Sequence, residues 1–238
     1  MQASVEQVSV GSNVMDVYTS VPEGTGPFPA MVVIMNAFGV AEFTKSMCDK
    51  FAGEGYLAVA PDLFHTISDE MSESLGKTKR ELLDDMQIIS DVEATLGFLN
   101  DNPLAKPDKL GITGFCCGGR ITWLMAAVSN RFQAAVPYYG GNLFAAWGQN
   151  DVTPFDRTAD IDCPILFHFG ENDDNPSQQD MLTLDKELTR LGKDYRFYSY
   201  PEAGHAFLDF TDPTRHNKRA SDMSWPRTLE FLERHLKD

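Results

Sequence analysis

Leu110-Gly111-Ile112-Thr113-Gly114-Phe115-Cys116-Cys117-Gly118-Gly119-Arg120 is the stretch on which the reading of this chain turns. Leu110 to Thr113 reads as a short strand, and Arg120 to Val128 is apolar enough for a buried helix, so the chain must bend from strand to helix within a few residues. Cys116 stands at the bend. Gly114 and Gly118, two residues before it and two after, are what a nucleophile elbow needs, because the bend strains the central residue and leaves no room for neighbouring Cβ atoms. A thiol placed there sits at a helix N-terminus, where unpaired N–H groups and the positive end of the macrodipole favour the thiolate. The same N–H groups can hold an oxyanion.

Working outward, strands and helices alternate along the chain with no repeat, linker or low-complexity break, which predicts one α/β domain over residues 1–238 with a mostly parallel sheet. Residues 4–20 suggest two short antiparallel edge strands. Ala30 to Met35 is apolar on both faces, as a parallel strand covered by helices must be, and it empties into Asn36-Ala37-Phe38-Gly39. A helix carrying Phe43, Met47 and Phe51 leads to the strand Tyr56–Ala60. Residues 62–77 are polar and too long for an ordinary connection, which suggests a lid. The next helix shows a stripe of Leu82, Met86, Ile89, Val92, Leu96 and Leu99, read as core. After the elbow come the strand 132–139 and a second long connection, 142–163, containing Phe144 and Trp147. The strand Ile165–Gly170, a helix with Met181, Leu184, Leu188 and Leu191, the strand Tyr195–Tyr200 and a final helix with Met223, Leu229, Leu232 and Leu236 close the chain.

The 238 residues, 42% hydrophobic, suffice for one sizeable core, and the net charge of −15 argues against a general nucleic-acid or anionic-membrane surface. No apolar run is long enough to span a bilayer and the first residues lack the pattern of a signal peptide, so a cytoplasmic protein is expected. The four cysteines have no zinc-site or disulfide-framework spacing; Cys48 and Cys163 read as packing residues. Neither a metal nor a cofactor is expected.

Three groups fall at successive strand ends in the order nucleophile, acid, histidine: Cys116, an aspartate after Gly170, and His205 after the last strand. That is the order of an α/β-hydrolase triad, in which a carboxylate orients the imidazole and the imidazole reaches the nucleophile. Of the other histidines, His168 reads as a core residue on a strand, and His65, His216 and His235 as surface residues.

Gly114 to Gly119, the turn Gly170-Glu171-Asn172-Asp173 and Glu202-Ala203-Gly204-His205-Ala206-Phe207 resemble the three signature blocks of the dienelactone hydrolase family, a cysteine-nucleophile branch of the α/β-hydrolase fold. The resemblance extends to Phe38-Gly39-Val40, Pro61-Asp62-Leu63 and Tyr138-Tyr139-Gly140. It implies Cys116 as nucleophile, His205 as general base and acid, Asp173 as orienting acid with Asp174 as the alternative, and the backbone N–H groups of Ala37 and Cys117 as the oxyanion hole. Asn36, Phe38, Arg80, Arg120 and Trp147 are candidate substrate-binding residues. The chain departs from the pattern twice. Asn36 stands where the name-giving enzymes carry a glutamate that accepts the thiol's proton, and Asp209 stands where they use an arginine for the substrate's carboxylate. A carboxylate near Asp209 would be repelled unless Arg80 or Arg120 compensates.

The expected activity is cofactor-free hydrolysis of a small ester or lactone through an acyl-thioester, by a monomer or homodimer that binds neither nucleic acid nor membrane. The alternatives are a binding or sensor protein without turnover, a thiol redox protein using Cys116 and Cys117, and, within catalysis, a thiol esterase that also attacks phosphotriesters.

Overall fold

A computed structural model describes residues 1–149 and 151–237. Residue 150, within the second long connection, and residue 238, at the end of the expected domain, lie outside the described residues. Eight strands form one sheet in the order β1-β2-β4-β3-β5-β6-β7-β8, with ranges Gln2–Val10 (β1), Asn13–Val21 (β2), Phe28–Ile34 (β3), Leu57–Pro61 (β4), Ala105–Phe115 (β5), Ala134–Tyr138 (β6), Ile165–Gly170 (β7) and Tyr195–Tyr200 (β8). β1, β2 and β4 pair antiparallel, and β4 through β8 run parallel. This is the doubly covered, mostly parallel α/β architecture that the alternation of elements predicts, and it agrees with the α/β-hydrolase fold that the family resemblance implies.

The pleat divides β3 between two cores. Ala30, Val32 and Ile34 face one apolar layer, and Met31 and Val33 face the other. Helices α1 (Glu42–Gly53) and α6 (Lys218–Leu236) cover one face through Phe43, Met47, Phe51, Leu232 and Leu236. Helices α3 (Asp85–Asp101), α4 (Cys117–Val128) and α5 (Gln178–Leu191) cover the other through Val92, Leu96, Ile121, Trp123, Met181 and Leu184. Pro137 lies in the central strand β6, where its missing N–H would break a ladder. Ala135 N–H and Tyr139 N–H donate to the Pro164 and His168 carbonyls of the β7 side, and the β6–β7 pairing between Ala135↔Ile165 and Tyr138↔His168 is interrupted at Pro137, where the donor is missing.

Four details differ from the sequence reading. The polar segment after β4 is not one loop: it holds a short helix, α2 (Asp69–Leu75), and a 3-10 turn over Lys79–Leu82. Ser68 caps α2 by accepting from Met71 N–H, Gly76 ends it in the left-handed region, and Thr78 and Glu81 form a capping box for the turn. Caps define this segment, and α2 buries no residue, so hydrophobic periodicity carries no trace of it. In α3, Met86 is exposed and Leu82 precedes the helix; the buried face is Asp85, Ile88, Asp91, Val92, Thr95, Leu96 and Leu99, which at the helix start lies one position before the expected phase. In α6, Met223 is exposed and the inward face includes Ser224 and Thr228.

The fourth concerns histidine. His168 is fully buried as expected, its ring nitrogens held by the Tyr200 hydroxyl at 2.8 Å and Thr228 Oγ1 at 3.0 Å, and burial pushes its pKa down to about 3. His65 is not a surface residue: its side chain is 4% exposed and its Nε2 meets Asp91 Oδ1 at 3.0 Å. An aspartate 26 residues downstream on α3 supplies the polar partner that lets an imidazole be buried.

Candidate active site

The elbow is built by backbone contact. β5 runs into α4 through Cys116, which takes φ 59° and ψ −120°, a conformation an L residue adopts only under constraint. A Cβ on Gly114 would collide with the Gly118 carbonyl, and one on Gly118 would come within 2.6 Å of the Ile34 and Met35 carbonyls. The glycines therefore let α4 start against the end of β3. Cys116 N–H donates to the Tyr138 carbonyl at 3.1 Å, tying the bend to β6 as well.

His205 and Asp173 arrive from the ends of β8 and β7. The His205 Nδ1–H donates to Asp173 Oδ2 at 2.9 Å; Asp173 is buried and the imidazole is 28% exposed. Asp173 Oδ1 accepts from Asn175 N–H at 2.9 Å, which fixes the carboxylate's plane. Asp174 is exposed and outside this hydrogen bond. On its other side the imidazole lies within hydrogen-bonding reach of the Cys116 sulfur. A polar groove of about 590 Å³ opens beside His205 and Asp173, with Arg215 and His216 on its far wall.

The electrostatics favour an ion pair. The Cys116 thiol is lowered to about 4, by a hydrogen bond from the neighbouring Cys117 thiol and by the hydrogen bond and charge of His205, against the opposing effect of burial. The Cys117 backbone N–H lowers it further, and the Cys117 sulfur itself lies 3.8 Å from the Met35 carbonyl. Burial opposes a charge on His205, yet its hydrogen bonds to Asp173 and Cys116 raise the imidazole to about 10. Thiolate and imidazolium face one another across the neutral range. The Cys117 thiol is pushed the other way, well above the ordinary thiol range, by Cys116 and by burial. All four cysteines are free; Cys48 is buried and Cys163 half-buried, in keeping with packing.

The remaining candidates separate into groups. Ala37 is half-exposed at the end of β3, beside Asn36 and next to Phe38, which is exposed. Asn36 is buried; its Oδ1 accepts from Phe38 N–H at 3.0 Å and its Nδ2 donates to Asp209 Oδ2 at 3.3 Å. Arg80, on the 3-10 turn, lies 5.9 Å from the Trp147 ring centre and close enough to favour the Cys117 thiolate. Arg120 is brought elsewhere. It is fully buried, its fork grips both Asp85 oxygens at 2.6 and 3.0 Å, it donates to the Asn142 and Ala145 carbonyls, and Trp147 stacks on it at 3.8 Å. With four of its five N–H donors engaged and no exposed surface, Arg120 is held against Asp85 and Trp147 rather than presented to a substrate.

Tyr139 belongs to the Tyr138-Tyr139-Gly140 block of the resemblance, but the sequence assigns it no role at the site. It holds φ 38° at the end of β6, its ring lies 5.4 Å edge-on from the His205 ring, and its hydroxyl is buried without a partner. The signal was a tyrosine between a buried strand and Gly140-Gly141, which composition alone does not distinguish from core.

The dienelactone hydrolase family model matches residues 15–236. The chain belongs to that family. It is 33% identical to a "Putative carboxymethylenebutenolidase" of Methylorubrum extorquens, over 96% of this chain and 80% of that one. It superposes with a TM-score of 0.88 and 29% identity on the crystal structure of a "Putative Dienelactone Hydrolase" from Klebsiella pneumoniae, covering 98% and 99% of the two chains. The dienelactone hydrolase-like promiscuous phosphotriesterase P91 from metagenomic libraries shares the fold, with a TM-score of 0.81 at 21% identity and 98% coverage of each chain. This dienelactone hydrolase family member is thus a hydrolase of esters or lactones. Asn36 and Asp209, where the resemblance implies two departures from the name-giving enzymes, are in direct contact at 3.3 Å.

Proposed function

We propose that the protein hydrolyses small esters or lactones without a cofactor, through a Cys116-His205-Asp173 triad and an acyl-thioester. The observation that carries this is the strained Cys116 at a helix N-terminus, within reach of an imidazole whose other nitrogen is held by Asp173 at 2.9 Å. In the resting pair the thiolate attacks the carbonyl carbon, and the oxyanion is received by the N–H groups of Cys117 and Ala37. Collapse expels the alkoxide, which takes the proton of the His205 imidazolium, and leaves a thioester on Cys116. Neutral His205 then accepts a proton from water as the hydroxide adds to the thioester. The second collapse releases the acid and restores thiolate and imidazolium. Asn36 carries no proton-accepting carboxylate, so activation of the thiol rests on His205, the helix terminus and the Cys117 thiol. A thiolate acylates readily but its thioester must be hydrolysed, which favours small activated acyl groups and lactones over amides.

Pre-steady-state hydrolysis of a short p-nitrophenyl ester tests this. The wild type should give a burst and an acyl adduct in the quenched intact mass, and Cys116→Ala neither. Equal turnover by the two proteins would show that the elbow assignment is wrong, and no turnover by the wild type would favour a binding protein.

A further inference from the structure

In the segment that follows β4, α2 and the start of α3 enclose a cleft of about 470 Å³. Its walls are apolar, built from Ile67, Met71, Leu83, Met86 and Ile88, and at its floor stands Asp91. It shares no lining residue with the groove beside His205. Met71 and Met86 are 44% and 60% exposed at its rim, and α2, which forms one wall, buries nothing of its own. Large apolar side chains left open around a concave surface are the composition of a small-molecule site.

Asp91 gives the cleft its chemistry. The residue is fully buried, and its Oδ1 accepts from Gln87 Nε2 at 2.7 Å and His65 Nε2 at 3.0 Å. Its Oδ2 has no partner among the described residues. His65 must carry its proton on Nε2 to donate to that carboxylate, which leaves Nδ1 a bare acceptor, and Nδ1 is also buried without a partner. Both orphaned atoms are therefore acceptors, and of the two residues it is Asp91 that lines the cleft. No lysine or arginine lines the cleft, and Asp84, the other charged residue that does, is an acid. Burial pushes the Asp91 pKa up, only partly offset by Gln87 and His65, so the position holds its charge at a cost that a cation would relieve.

We propose that this cleft is a second ligand site, which binds a small organic ammonium ion with its apolar body between α2 and α3 and its N–H donors on Asp91. An ammonium supplies the donors the floor lacks and its alkyl part covers the methionines at the rim. A carboxylate ligand of the same length would be repelled, and an alcohol would offer one donor and no charge. Site occupancy is separate from ester turnover, so its test does not depend on the activity.

The test is titration of the full-length protein with n-hexylammonium, hexanol and hexanoate at constant ionic strength, followed by calorimetry and by the thermal midpoint. Hexylammonium should bind at least about tenfold more tightly than hexanol and raise the midpoint, and hexanoate should do neither. Asp91→Asn keeps the shape and removes the charge, and should abolish the preference for the ammonium. Met86→Trp, at an exposed rim position that tolerates change, should fill the mouth and weaken hexylammonium binding about tenfold, which keeps the test decisive if Asp91→Asn does not fold. Equal binding of hexanoate and hexylammonium, an ammonium preference that survives in folded Asp91→Asn, or an unchanged hexylammonium affinity in Met86→Trp would overturn the proposal.

Discussion

Two aspartates near the elbow each hold a nitrogen base, and the difference between them separates support from chemistry. Asp85 and Arg120 are both fully buried, and four of the five guanidinium donors are used by Asp85, Asn142 and Ala145. Asp173 is as deeply buried as Asp85, but its partner His205 is 28% exposed and keeps one ring nitrogen for Cys116. A saturated ion pair fixes α4 against α3. A carboxylate spent on only one side of an imidazole leaves the other side free to move protons.

The sharpest way to break this comparison is to neutralise each aspartate in turn. Asp173→Asn should leave the fold in place and reduce kcat for a short p-nitrophenyl ester by about 10³-fold or more, because the amide no longer fixes the tautomer of His205. Asp174→Asn, at the exposed neighbour, should change kcat less than about threefold. The pH profile of the burst rate adds the sign. Thiolate and imidazolium are both required, so the rate should hold through the neutral range, fall in acid as Cys116 protonates near pH 4, and fall in alkali as His205 loses its proton near pH 10. In Asp173→Asn the alkaline limb should move down, since the hydrogen bond that raises His205 is weakened.

Asp85→Asn should act on stability instead. It leaves the Arg120 charge buried without its counter-ion, which costs about 3–5 kcal/mol, read as a lower urea midpoint. Replacing both partners, Asp85→Leu with Arg120→Met, should recover most of that loss, because a buried pair is weak evidence for net stabilisation. A loss in kcat exceeding the loss in stability would mean that Arg120 touches the reaction after all.

The same contrast explains how much could be read in advance. Cys116, Asp173 and His205 could be picked out as candidates because each follows a segment readable as a strand: β5 and β7 close in buried apolar runs with a glycine at or beside the end, and β8 is an aromatic-rich, partly exposed strand stopped by Pro201. Arg120 was misplaced as a substrate residue because its partner lies 35 positions upstream, on a helix whose inward face was taken to be wholly apolar. His65 and Asp91 escaped for the same reason: a buried polar pair has no periodicity, and each half alone looks like surface. The strap around α2 escaped because caps, rather than an apolar stripe, define it.

A smaller effect concerns substrate charge. Asp209 is buried, with Oδ1 accepting from Thr211 N–H at 3.0 Å and Thr211 Oγ1 at 2.6 Å and Oδ2 accepting only from Asn36, and Arg120 is too fully engaged to offset it. Carboxylate-bearing acyl groups should therefore be poorer substrates than their neutral methyl esters. Asp209→Asn should narrow the ratio of kcat/KM for mono-p-nitrophenyl succinate and its methyl ester by about tenfold. An unchanged ratio would place Asp209 outside the acyl site and leave Arg80 as the charge that matters.

The smallest effect belongs to the strap, which stands to the elbow as capped turns stand to packed backbone. Ser68 accepts the Met71 N–H at the start of a helix that buries nothing, so Ser68→Ala should cost about 1 kcal/mol, and that loss should fall on local opening rather than on the whole fold. Amide exchange should quicken about fivefold within residues 69–76 and stay unchanged in β5 and α4. Gly118→Ala is the counterpart at the elbow, where a Cβ meets the Ile34 and Met35 carbonyls at the buried end of β3. There the loss should be global, with protection falling across the central strands together. If Ser68→Ala also loosened β5, the strap would be part of the same cooperative unit as the elbow, and a lid that opens independently of the site would be ruled out.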